Sequence, residues 1–359
     1  SPAVPLVAHL PRPRDLVRFG PHNDSHWVAL RAGVSVGLPL VLLTATGHRS
    51  WLAYAAFGAF TSLYGRGEGY RRRMHTQLAA ALTLVLAVGF GTAVSAVVPD
   101  GPLARGAIVG AAVLTAVLGS LVGDATGWRP AGPLFSVFAV ATCAGIPAVP
   151  ADIPAAFAVA SVSAAFAVVV GLGGALSPTR RARERASSPP FGVRRLVEES
   201  AVRRHAVRYG IAALAAGAVA TVAGIGHPSW AMVAAVVPLA VSDTPGQILR
   251  ASHRLGGTAV GLVVAAGLFA LHPAGWELVI VVVVLQTVAE LFVVRNYGFA
   301  MIFITPLALL MNLLVGTVPT DVLLRDRALE TLIGAVVGIV VALVSTRRAI
   351  ARGVVMELA

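Results

Sequence analysis

Gly47-His48-Arg49-Ser50-Trp51 and Gly226-His227-Pro228-Ser229-Trp230 carry nearly the same five residues at an offset of 179, and each opens onto an apolar run. The same offset, without a gap, sets Arg71 on Arg250 and Phe90 on Phe269. Further on, an offset of 166 aligns Ser120 with Gln286, Asp124 with Glu290, Arg129 with Arg295 and Gly132 with Gly298. Correspondence at this distance means one unit used twice. Outward from the two pentapeptides, apolar segments lie at 28–46, 51–64, 76–98, 104–123, 132–147 and 153–176. A second set lies at 207–225, 229–242, 255–272, 276–294, 298–316 and 329–346. The pattern predicts an all-α polytopic membrane protein of about twelve transmembrane helices, built as two parallel six-helix repeats. Because six is even, both halves share one orientation, and a pseudo-twofold axis along the membrane normal is expected.

Composition agrees. A chain of 359 residues with 57% hydrophobic residues, 12% charged residues and mean hydropathy +0.82 lies outside the range of soluble domains. A net charge of +12 would fit nucleic acid if the cations formed a stripe with interleaved aromatics. Here all 28 basic side chains are arginines, gathered between apolar segments. Arginine-rich short loops stay in the cytoplasm. With the N-terminus inside, only Arg49, Arg105, Arg325 and Arg327 fall outside or at outer helix ends, and acidic Asp100, Asp152, Glu277 and Asp321 fall outside too. The expected organisation is a cytoplasmic segment 1–27, a first transmembrane half 28–176, a basic cytoplasmic connector 177–206, a second half 207–346 and a cytoplasmic tail 347–359, all in the bacterial inner membrane. Cys143 is the single cysteine, which removes intrachain disulfides and cysteine clusters; no cofactor and no metal are expected.

Several residues could carry chemistry. Short or interrupted helices at equivalent places in two halves point to a transport site. Residues 51–64 would rise only ~21 Å as a helix, and 229–242 carries Pro238 inside; ordinary helices lengthened by loop residues are the alternative. Each is followed by a basic connection, Arg66 with Arg71 to Arg73 in one half, Arg250 with Arg254 in the other. A guanidinium offers a carboxylate two parallel hydrogen bonds and keeps its charge, though such arginines also serve simply to hold loops inside. Glu290 lies deep in an apolar segment, where a charge at midplane costs ~2.5 to 3.5 kcal/mol, so it reads as functional by default. Gln286 one turn earlier, and Ser120 with Asp124 in the first half, repeat the spacing. Glu290 and Asp124 are therefore proton-coupling candidates, against the alternative of an ion pair between Glu290 and Arg129 or Arg295. Thr305-Pro306 marks a helix kink, as Pro238 does. Gly257 and Gly261 have the spacing of a helix-packing face. His48 and His227 each precede a tryptophan by three residues, and interfacial anchoring by Trp51 and Trp230 explains the pair better than metal does. No nucleotide-binding loop, nucleophile elbow or zinc-protease motif occurs, so an enzyme is not expected.

From Trp230 onward, Arg254-Leu255-Gly256-Gly257-Thr258-Ala259-Val260-Gly261, then Arg295-Asn296-Tyr297-Gly298, leads to Thr305-Pro306-Leu307. In these residues the chain resembles the fusaric acid resistance (FUSC) family of aromatic acid exporters, most strongly from Ser229 to Leu310. The first half is degenerate, with His75 where Arg254 stands and Leu78-Ala79 where Gly257-Thr258 stand. The resemblance implies a multi-pass transporter. It is also similar in design to plant aluminium-activated malate transporters, where two six-helix subunits surround an anion path lined by basic residues. The resulting expectation is proton-coupled efflux of small aromatic carboxylates by a monomer (a pseudo-dimer) or homodimer. Arg71, Arg250, Arg254, Arg295, Asn296, Tyr297, Trp51 and Trp230 would bind the anion, and Asp124 and Glu290 would handle protons. A passive anion channel, and a scaffold using the basic connector to hold anionic lipid or an envelope-assembly partner, remain as alternatives.

Overall fold

A computed structural model describes residues 12–21, 25–176, 200–226, 228–241, 243–315 and 319–357, and the regular structure among them is entirely helical. After a short turn of helix, α1 (Pro13–Leu16), the first half runs α2 (Ser25–Ala45), α3 (Leu52–Ala59), α4 (Tyr70–Val97), α5 (Pro102–Thr126), α6 (Leu134–Gly145) and α7 (Asp152–Leu172). The second half runs α8 (Ser200–Val222), α9 (Pro228–Leu239), α10 (Thr244–Ala270), α11 (Trp276–Phe292), α12 (Tyr297–Val315) and α13 (Thr320–Glu357). Seven of the described helices, α2, α4, α5, α7, α8, α10 and α13, are long and apolar enough to cross a membrane. Helices are the expected solution, because in hydrocarbon every backbone N–H and C=O must be satisfied within its own segment.

Two helices run beyond the apolar segments read from the sequence: α8 takes in residues 200–206 of the connector, and α13 continues to Glu357. Both extensions are rich in Ala and Arg and lack proline, so nothing in them breaks a helix once begun. The connector residues 177–199 lie outside the described residues.

The long helices are inverted relative to those of a soluble protein. On α4, Leu78, Leu82, Leu86 and Phe90 are exposed one turn apart, while Arg73, Thr76, Gln77, Ala80 and Leu84 are buried. On α2, Leu30, Val34, Leu38 and Leu42 form a similar outward stripe. Apolar faces of this size would drive association in water; in a bilayer they meet acyl chains. Small and polar residues turn inward, as packing between membrane helices favours.

The second helix of each half is different. Every residue of α3 and of its 3-10 extension Phe60–Leu63 is buried, and so is every residue of α9. At 12 residues, α9 rises only ~18 Å, too little to cross a ~30 Å hydrocarbon core. Surrounding helices shield both. α3 packs on α2 and α7, and α9 packs on α8 and α13. The pairing recurs across the halves. α4 packs on α6 and α7 as α10 packs on α12 and α13, and the halves meet reciprocally, α2 against α11 and α8 against α5.

Close approach depends on glycine. A methyl on Gly257 would collide with the Gly298 carbonyl and the Met301 side chain, and one on Gly261 would lie 2.7 Å from Thr305 Cβ. These contacts seat α10 against α12 on the Gly-x-x-x-Gly face. Adjacent Gly256 faces open space. Gly257→Ala is therefore expected to lower stability by about 1 to 3 kcal/mol, while Gly256→Ala leaves it unchanged or raises it. Thermal unfolding of the two variants in detergent checks this, and equal melting of both would contradict the packing.

Candidate functional site

The turn between α3 and α4 is written Gly65-Arg66-Gly67-Glu68-Gly69. Gly65 and Gly67 both hold φ of +74°, a backbone region closed to most side chains, so the chain reverses tightly and Arg66 projects from the bend. Its Nη2 lies 3.3 Å from Glu290 Oε2 and donates a 2.9 Å bond to the Glu290 carbonyl. This is the ion pair that the sequence assigned to Arg129 or Arg295. It joins a first-half loop to a second-half helix, so the repeat alignment could not supply the partner. Burial pulls the Arg66 pKa down and the Glu290 charge pushes it back up.

Between the halves lies a cavity of about 2000 Å³. Seven arginines and two acids, Asp124 and Glu290, line it, so its field is strongly positive. One wall is aromatic and comes from the first half, with Phe57, Phe60, Phe135, Phe138 and Trp128. Phe57 meets Phe138 at 5.2 Å between ring centroids, and Phe60 meets Phe135 at 5.3 Å. The arginines come from both halves, Arg31, Arg66, Arg73 and Arg129 from the first and Arg250, Arg254 and Arg327 from the second. Among the latter, Arg250 lies over the Tyr297 ring at 4.1 Å, Arg254 Nη1 donates a 3.0 Å hydrogen bond to the Tyr297 hydroxyl, and Arg327 lies over the Trp230 ring at 4.9 Å. Arg250 and Arg254 are one turn apart on α10, so one helix face presents both.

Of the residues expected at the site, the cavity is lined by Arg250, Arg254, Tyr297, Trp230, Asp124 and Glu290, with Gln286 beside them. The others lie elsewhere. Arg71 is exposed, and the inward position of the triplet belongs to Arg73. Arg73 donates to the carbonyls of Gly65, Gly171 and Glu68, which makes it a pin for the bend. Arg295 and Asn296 hold the N-terminal segment. Asn296 Nδ2 donates to the Leu16 and Arg18 carbonyls, Arg295 Nε to the Gly20 carbonyl, and the Gly20 N–H to the Arg295 carbonyl. Trp51 is half-buried and stacks on His48 at 4.5 Å. Pro238 is an interior residue of α9, and Pro306 follows Thr305, whose hydroxyl faces Thr258 at 3.5 Å; none of the three lines the cavity.

Sequence reasoning passed over Arg327 and His205. Arg327 is buried in the cavity wall. His205, on α8, brings Nδ1 to 3.0 Å from Asp124 Oδ2 on α5 and Nε2 to 3.2 Å from the Leu239 carbonyl at the end of α9. Both partners are acceptors, and a neutral imidazole has one N–H, so the doubly protonated ring is the form that satisfies both contacts. Among the described residues no group of three or more His, Cys, Asp and Glu side chains is placed to hold a metal.

Comparison with known proteins agrees with this architecture. The chain is 26% identical over 151 residues, 42% of its length, to the uncharacterized membrane protein YvaC of Bacillus subtilis (strain 168), and spans 24% of that protein's length. No solved structure matches. A family profile described as fusaric acid resistance protein-like matches residues 214–341, a stretch that holds α9 to α12 with Arg250, Arg254 and Arg327, so the second half of this multi-pass membrane protein is similar to that family.

Proposed function

We propose that this chain is a transporter, not an enzyme, and that it carries small organic carboxylates, aromatic acids among them, through the cavity between its halves. The observation that carries the reading is one cavity lined by both guanidinium groups and phenylalanine rings. An inorganic ion has no use for the rings, and a neutral apolar solute has none for the arginines. An anion with a flat apolar body uses both. Matching helix contacts in the two halves, and the reciprocal α2–α11 and α8–α5 seams, support twelve spans in two parallel repeats. The arginine distribution supports termini on the cytoplasmic side of a bacterial inner membrane, and efflux is the direction proposed. The acting unit is the monomer or a homodimer.

Proton coupling is part of the proposal. A protonated His205 bridges α8, α9 and α5, so losing its proton removes one bond at the seam between halves. Glu290 pairs with Arg66 at the opposite seam. Protonating Glu290 would free the Arg66 side chain from a charge while its bond to the Glu290 carbonyl remains.

Reconstituted in liposomes, the chain is expected to move radiolabelled benzoate, faster with an imposed pH gradient than without. No carboxylate movement under either condition would remove the proposal. Glu290→Gln should keep the Arg66 bond to its backbone and so keep benzoate flux while weakening the dependence on the gradient. If flux runs equally fast without a gradient in the wild type, the path is a passive channel.

A further inference from the structure

Arg327 lies near the start of α13 and is 3% exposed, as is Arg254 on α10. Both line the cavity. Arg327 rests over Trp230, donates no hydrogen bond among the described residues, and has a buried Nε without a partner. Arg254 uses one nitrogen on the Tyr297 hydroxyl, and its Nε is also buried and unpartnered. The two guanidiniums are close enough for each charge to act on the other, and Glu330 is the acid that acts on Arg327. One carboxylate cannot neutralise three cations when Arg250 is counted with them. A buried guanidinium normally has its donors satisfied. Here two line one cavity, and each keeps a buried Nε without a protein partner.

Arg250 in the same cavity also keeps a buried Nε without a hydrogen-bond partner, whereas Arg73 and Arg66 are engaged by the protein. The donors of Arg73 reach three backbone carbonyls, and those of Arg66 reach Glu290. The rings beside Arg254 and Arg327 are also occupied. Tyr297 has Arg250 over its face, and Trp230 has Arg327. They hold the cations in place and leave the ligand's apolar body to the phenylalanines of the same cavity.

We propose that Arg254 and Arg327 form a two-guanidinium subsite that binds the carboxylate of an organic anion, one fork from each side, with the anion's apolar body laid on Phe57, Phe60, Phe135 and Phe138. The subsite deepens the transport reading and rests on it for its biological purpose, but binding can be measured without flux. A planar carboxylate has two oxygens and so can accept from both forks at once. It also brings the negative charge the wall lacks.

The test uses the full chain in detergent, titrated with benzoate by calorimetry. Arg254→Gln and Arg327→Gln are each expected to weaken binding by about tenfold to a hundredfold. Arg105→Gln removes an exposed arginine outside the cavity and should change nothing. Benzyl alcohol keeps the ring without the charge and should not bind measurably; chloride and sulfate keep charge without the ring and should bind more weakly than benzoate. Arg327→Lys retains the charge without the fork and should fall between wild type and Arg327→Gln.

Thermal melts separate binding from folding. With no protein hydrogen bond to lose, Arg327→Gln should melt at or above the wild type without ligand, and should lose the rise that benzoate produces in the wild type. Unchanged benzoate affinity in Arg327→Gln, equal binding of benzyl alcohol, or tighter binding of chloride or sulfate would overturn the subsite. So would an Arg327→Gln melting point well below the wild type, which would make Arg327 a packing group. Arginine-dependent binding by a protein that moves no carboxylate would keep the subsite and end the transport reading. Benzoate flux indifferent to Arg327→Gln would do the reverse.

Discussion

Two helices too short for the membrane impose the rest of the architecture. α3 and α9 cannot present their ends to hydrocarbon, because unpaired backbone groups there would cost several kcal/mol each. Each must therefore be ringed by longer helices, and the tightest contacts serve that end. Gly58 on α3 lies so close to the Ala160 carbonyl of α7, and Gly334 on α13 so close to the Ala231 carbonyl of α9, that a methyl at either glycine would collide. The same shortness opens space at the seam. Phe57 and Phe60 on α3 with its extension, and Trp230 and Val233 on α9, line the cavity, so the helices that most need shielding also form part of its walls.

Inside that interior, the arginines divide by what their donors reach. Arg73 and Arg66 end on backbone carbonyls or a carboxylate within the protein, and their contribution is to the bend at Gly65–Gly69 and to the seam. Arg250, Arg254 and Arg327 end on rings or on one hydroxyl, each with a buried Nε left without a partner. Buried charge is tolerated when paired and costly when not. The second group is thus where the molecule is least satisfied alone and most improved by an anion. On the proposed reading, residues that stabilise the fold and residues that meet a ligand are consequently different arginines in the same cavity.

Much of the helical content was legible because long apolar runs permit little else. The seams were less so. Matching Arg71 to Arg250 by offset was sound as alignment, yet on α4 the inward face is Arg73, Thr76, Gln77, Ala80 and Leu84; reading that spacing of small and polar residues would have selected Arg73 and left Arg71 outside. Arg295 and Asn296 look like site residues until the N-terminal segment occupies them, a long-range contact with no local signature. Glu290 was identifiable from its cost in lipid, but its partner sits 224 residues away. Arg327 was read as an outlier of the charge rule, when an arginine that defies that rule inside an apolar helix is better treated as Glu290 was, as a buried charge that needs a reason.

Divergence between the repeats redistributes the charge around the cavity. In the first half Arg71 and His75 stand where Arg250 and Arg254 stand in the second, and both are exposed. Arg31, Arg66, Arg73 and Arg129 of that half line the cavity instead, together with Phe57, Phe60, Phe135 and Phe138. Both halves therefore bring cations to one space from different positions. Their mutual repulsion is offset where the protein supplies a partner, as Glu290 does for Arg66, and a positive field is left where it does not.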